Sequence, residues 1–253
     1  MTLNAMIFAA GIGSRLRPIT DTIPKALVKV GGYTLLEIAL RKMKGLGVSR
    51  VVINVHHFAD QIKRFLYDYY TPNMEIILSD ESKELLDTGG GLLNAISYFD
   101  YGADILVYNV DIVCNAPISK LIEQHHKDNN LASLMVQKRK ASRYLLFDKQ
   151  MQLQAWHNPS TGEEIWHGDK STEVSGLGFG GVQLLRYDFM RLINNSKTSF
   201  PIIPEYLKLA KDYPVKGWLT DANTQWFDIG TPEKLKKAQL FFENGSHSIE
   251  SFF

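Results

Sequence analysis

One cysteine, Cys114, is all the thiol this 253-residue sequence carries. No internal disulfide can form, which excludes a cystine-stapled scaffold and fits a reducing compartment. No spacing in the sequence supports Cys114 as a nucleophile, so a small buried apolar role is expected for it. Charge of one sign is equally absent: 28 Lys and Arg against 27 Asp and Glu leave a net charge of +1. That balance gives no reason to expect a nucleic-acid or anionic-membrane partner, while a local basic site stays open. No run approaches the roughly 20 apolar residues of a membrane-spanning helix. The pattern of a cleaved signal peptide is missing before the first strand, so the chain reads as cytoplasmic. Linkers and internal repeats are missing too.

What is present is 45% hydrophobic and 22% charged, enough for a full core. The first half alternates short β-branched runs with helical apolar spacing. Strands are expected over 4–10, 50–55, 74–78, 105–109 and 131–137, and helices over 34–46, 59–69, 90–98 and 117–129. This alternation implies βαβ units and an α/β fold, a mainly parallel sheet flanked by helices. Ligands of such sheets sit at the carboxyl ends of the strands. The second half is less regular. Two short strands are expected around a Lys149–Gln150 turn, polar turns over 158–168, and a glycine-bearing strand over 173–185. Helices follow over 201–211 and 232–244, the latter with Pro232 in its first turn. Residues 245–253 read as a loosely ordered tail in which Phe252 and Phe253 are the candidates for docking.

Three segments carry chemistry. After the first strand comes Ala9-Ala10-Gly11-Ile12-Gly13-Ser14-Arg15-Leu16-Arg17-Pro18, then Pro24-Lys25. Glycines let backbone N–H groups approach an anion, and arginine binds phosphate oxygens in a bidentate fork. A tight turn with solvated basic residues explains a lone Gly-x-Gly equally well, and neither the Rossmann nor the Walker spacing is present. Next, Asp111 ends a strand and Asp228 stands in Asp228-Ile229-Gly230-Thr231. Two carboxylates suffice for magnesium, which keeps waters and substrate phosphates as its other ligands; each aspartate also fits a simple turn-capping role. Finally, Thr88-Gly89-Gly90-Gly91 opens a helix, where backbone can lie flat against a ligand and donate hydrogen bonds.

These motifs, in this order, resemble those of the sugar-1-phosphate nucleotidyltransferase family, over nearly the whole chain. The triple glycine is similar to the branch of N-acetylmuramate-1-phosphate uridylyltransferases and heptose-1-phosphate guanylyltransferases. The resemblance implies a Rossmann-like fold of GT-A type over residues 1–244, a cytoplasmic enzyme of nucleotide-sugar and cell-envelope biosynthesis, and Mg2+ as cofactor. A nucleoside triphosphate, with UTP the expected one, and a sugar 1-phosphate would be its partners. Arg15 would polarise the triphosphate and Lys25 contact its phosphates. Asp111 and Asp228 would hold the metal. Ala9, Ala10, Gly11, Gly13, Thr88, Gly89 and Gly90 would line the nucleotide, and Asn109, Glu173 and Gly176 the sugar.

The sequence departs from the family in two places. Many members have glycine where this chain has Asn109. The Glu-Lys-Pro motif of larger members is missing, and whether Lys170 stands in for its lysine is open. Two rivals remain. A choline-phosphate cytidylyltransferase-like activity would use Tyr144, Trp156 and Trp166 as an aromatic cage. A non-catalytic nucleotide-sugar-binding protein would be expected to lose Lys25 or an aspartate, and this chain keeps all three. The adjacent pairs His56–His57 and His125–His126 point in different directions and make poor metal ligands. Trp156, Trp166, Trp218 and Trp226 are expected in the core or at an interface.

Overall fold

A computed structural model describes residues 2–69, 73–244 and 248–253. From the N-terminus the chain forms β1 (Leu3–Phe8), a loop of three 3-10 turns, the hairpin β2 (Lys29–Val30) and β3 (Tyr33–Thr34), then α1 (Leu35–Gly45). It continues through β4 (Arg50–Val55), α2 (Ala59–Asp68), β5 (Glu75–Asp80), α3 (Asp87–Asn94), β6 (Asp104–Asn109) and β7 (Ile112–Cys114). The later elements are α4 (Ile118–Lys127), β8 (Ala132–Gln137), β9 (Tyr144–Phe147), β10 (Leu153–Asn158), β11 (Glu163–Trp166) and β12 (Ser175–Leu185). Then come α5 (Tyr187–Leu192), α6 (Ile203–Ala210), β13 (Val215–Leu219), β14 (Trp226–Asp228) and α7 (Pro232–Glu243).

The expected α/β architecture is present. Among the described residues ten strands share one sheet, and the first-half strands β6, β1, β4 and β5 lie side by side in parallel. The second half extends the sheet antiparallel: β12 joins β6, and β9, β10 and β11 continue from β12. β8 pairs with β12 and carries β13 parallel to it. The central strands are apolar on both faces, as a sheet covered by helices requires. Ala5, Ile7, Val51, Ile53, Leu106 and Tyr108 face a core packed by α1, α2, α4 and α7. The alternate residues Met6, Val52, Ile105 and Val107 face a second core packed by α3, α5 and α6. Helix starts follow from caps: Thr34 accepts from Glu37 N at 3.1 Å, and Thr231 from Lys234 N at 3.4 Å with Pro232 behind it.

One second-half expectation needs correction. The polar stretch 158–168 contains β11, a hairpin partner of β10 turned by Gly162 at φ 73°. The tail is docked where it is described, residues 245–247 lying outside the described residues. Ile249–Phe252 form a 3-10 turn, Phe252 is buried against Phe242 at 5.0 Å between ring centres, and Phe253 meets Tyr33 edge-on. No described helix is long and apolar enough to cross a membrane.

Candidate active site

The loops leaving β1, β4, β5 and β6 meet around a cavity of about 480 Å3 at the carboxyl ends of these strands. This is where a parallel sheet exposes backbone ends that no neighbouring strand uses. Ala9, Ala10, Gly11, Lys25, Thr88, Asn109 and Asp111 line it, so seven of the sequence-predicted residues converge. Gly13, at φ 69°, turns the loop back; a side chain there would press on Thr20 and Lys25. Its carbonyl accepts from Thr20 Oγ1 at 2.8 Å. Arg15 is exposed on the following turn, makes no ion pair with any described residue, and reaches toward Gly230.

The acidic pair is assembled by a ladder that the sequence did not announce. β14 pairs antiparallel with β7, placing Asp228 opposite Ile112, next to Asp111. Ile229 N donates to Asp111 O at 2.8 Å, and the buried Tyr108 hydroxyl donates to Ile112 O at 2.8 Å. The turn that carries Asp111 is thus tied from both sides. Each carboxylate meets a cation: Lys25 Nζ bonds Asp111, and Lys234 Nζ lies 2.5 Å from Asp228. Arg139 stacks on Trp226 at 4.4 Å, two residues before Asp228 on the same strand. Burial lowers the Arg139 pKa, opposed by the negative charge of Asp228. Hard oxygen donors on paired strands, each partnered by a lysine, suit a small divalent cation. No third acidic or imidazole group joins them among the described residues, so substrate and water would complete the coordination.

Gly89 and Gly90 are not among the residues that line the cavity. A Cβ on Gly89 would sit 2.3 Å from the Phe200 ring, and one on Gly90 2.1 Å from Thr198 O. Both backbone N–H groups donate to Phe200 O, at 2.9 and 3.3 Å. The glycines therefore admit the 198–200 segment. Glu173 is exposed and paired with Lys149 at 2.7 Å, and Gly176 packs on Tyr144 and Leu146; neither lines the cavity. Lys170 lies in the exposed loop between β11 and β12. Tyr144, Trp156 and Trp166 lie on β9, β10 and β11 away from the cavity lining, with the Trp166 indole donating to Glu164 at 2.8 Å. The sequence reading missed Asn54, Glu81, Leu85, Asp87 and Ser199, which complete the walls. Only the position of Asn54 at a strand's carboxyl end could have flagged it. Cys114 is buried, and burial raises its thiol pKa, so it stays inert.

Residues 4–150 match the nucleotidyl transferase family. The chain belongs to the nucleotidyl transferase family. It is an enzyme of the sugar-1-phosphate nucleotidyltransferase kind that its motifs resembled. An N-acetylmuramate alpha-1-phosphate uridylyltransferase of Neisseria meningitidis is 30% identical over 94% of this chain and 97% of its own length. Its namesake from Caulobacter vibrioides is 38% identical over 43% of this chain, a stretch spanning 46% of that relative. A UDP-glucose pyrophosphorylase from Acinetobacter baumannii superposes with TM-score 0.79 at 18% identity, covering 98% of this chain and 96% of that one. The nucleotidyltransferase thus has the Rossmann-like GT-A fold.

Proposed function

We propose that the enzyme transfers the uridylyl group of UTP to a hexose 1-phosphate of the N-acetylmuramate type, releasing pyrophosphate. The observation that carries this is the convergence of a glycine loop, Lys25 and Asp111 on one cavity, with Asp228 on the strand paired beside Asp111. The choice of UTP and of the acceptor is supported by the Neisseria meningitidis relative, which matches nearly end to end.

An oxygen of the sugar phosphate attacks the α-phosphorus of UTP in line. The bond from that phosphorus to the bridging oxygen breaks, and the electron pair leaves with pyrophosphate. The attacking phosphate is largely ionised near neutral pH, so no general base is needed. Both reactants are anionic, and positioning with charge screening must supply most of the acceleration. Asp111 and Asp228 would hold Mg2+, whose charge would neutralise the phosphates. Lys25 would exchange its contact with Asp111 for phosphate oxygens. Arg15, with no ion partner among the described residues, would grip the leaving pyrophosphate. Ala9 N and Ala10 N are already bonded within the protein, so the phosphate-binding backbone would begin at Gly11, where even a Cβ would meet nothing within 4 Å. Asn109 is the sugar-side contact.

Calorimetric titration of UTP, GTP, CTP and dTTP with Mg2+ tests the base. UTP is expected to bind most tightly. Binding of GTP alone would overturn that choice and shift the acceptor to a heptose 1-phosphate.

A further inference from the structure

Between the two walls of the cavity lies a buried amide–carboxylate bridge. Asn54 is the penultimate residue of β4 and Glu81 follows β5; they are 4% and 2% exposed. Asn54 Oδ1 accepts from Ala9 N at 2.7 Å and Ala10 N at 3.3 Å, the first residues of the phosphate loop. Its Nδ2 donates to Glu81 Oε1 at 2.8 Å. The other carboxylate oxygen, Oε2, accepts from Leu86 N at 3.2 Å, at the start of α3. Every polar atom of both side chain ends is oriented by a partner, and the bridge is direct. Space for it is kept by Gly91, where a Cβ would fall 2.7 Å from Glu81 Oε1.

A buried carboxylate is costly unless its hydrogen bonds recover the lost hydration. Burial raises the Glu81 pKa, and the bonds from Asn54 and Leu86 oppose that rise. A structural filler at this site would be an apolar side chain. The observed pair instead fixes which loop atoms face each other across the cavity.

We propose that Asn54 and Glu81 are positioning residues that hold the phosphate loop and the loop at the start of α3 at a fixed separation, so that one nucleoside triphosphate meets both. The inference rests on the nucleotide-binding reading of this cavity. Asn54 and Glu81 touch loop backbone, and their effect reaches the nucleotide through it.

The polarity of the bridge gives a decisive test. In Glu81→Gln the new amide must turn an N–H toward one of two donors. In Asn54→Asp the new carboxylate faces Glu81. The double variant N54D/E81Q satisfies every partner again, with the new carboxylate accepting from Ala9, Ala10 and the new amide, and the amide oxygen accepting from Leu86. Leaving one buried group unpaired corresponds to about tenfold or more in an equilibrium. Each single variant is therefore expected to weaken UTP–Mg2+ binding by about that factor in calorimetry, with the KM for sugar phosphate unchanged, and the double variant to recover. Should Asn54→Asp fail to fold, Glu81→Gln against the double variant carries the same comparison. Singles that bind UTP like the wild type, a double variant no better than Glu81→Gln, or an equal loss for sugar phosphate would overturn the pair's role. Failure of the wild type to bind any nucleoside triphosphate would instead overturn the reading of the cavity and this inference with it.

Discussion

At the scale of single residues, Asp228 is the proposed metal ligand whose functional and structural roles are most easily told apart. Its side chain is 24% exposed and its only ion partner among the described residues is Lys234. A pair of that kind stabilises the fold by about 0–1 kcal/mol. Asp228→Asn is therefore expected to leave the melting temperature nearly unchanged. Turnover should fall on the order of 100-fold, the scale of losing one preorganised electrostatic contact. Rates near wild type at saturating Mg2+ would remove Asp228 from the site. The residues legible in sequence were those whose type carries the chemistry: Lys25, Asp111 and Asp228 stand out because a lysine beside proline and aspartates beside turns are few. Asn54 and Glu81 were illegible because their role depends on backbone from distant loops, which no local spacing encodes.

At the scale of elements, the glycine helix α3 shows that close approach at a motif has a partner the motif does not name. Three glycines at a helix start signal close approach, and close approach is what they provide, but to Thr198 and Phe200. The segment that fills the space lies in an irregular stretch with no periodicity of its own. Gly90→Ala would drive a methyl against Thr198 O, a backbone atom, and is expected to destabilise by about 1–3 kcal/mol, as overpacking does. Gly11→Ala meets nothing within 4 Å and should melt like the wild type while binding triphosphate more weakly. Equal melting of the two variants in thermal denaturation would contradict these packing assignments. The first-half strands were legible because buried parallel strands read as continuous apolar runs. β7, β13 and β14 were not, being short and defined by pairing with remote partners rather than by pattern.

For the whole molecule, the α/β class followed from the alternation of the first half, while the antiparallel extension through β12 depends on nonlocal pairing. The docked tail shows the same limit, since Phe252 finds its place only once α7 exists. Global stability carries a titrating weakness at His125. His125 is 1% exposed, and burial lowers its pKa to about 4, with Asp104 opposing. The unfolded chain takes up this proton near pH 6.5 and the folded chain does not, so stability is lost as pH falls from about 6.5 toward 4. Between pH 7.5 and 5 the loss from this group is about 2 kcal/mol, and His125→Gln should remove that share in urea titrations. An unchanged pH slope in the variant would contradict the assignment. The central claim, that the cavity joins a nucleotide to a sugar phosphate, is tested most directly by pyrophosphate release. With UTP, N-acetylmuramate 1-phosphate and Mg2+, the wild type is expected to release pyrophosphate and form a UDP-sugar, while Asp111→Asn gives almost none. No release with any of the four nucleotides and a panel of sugar 1-phosphates, or undiminished release from Asp111→Asn, would contradict it.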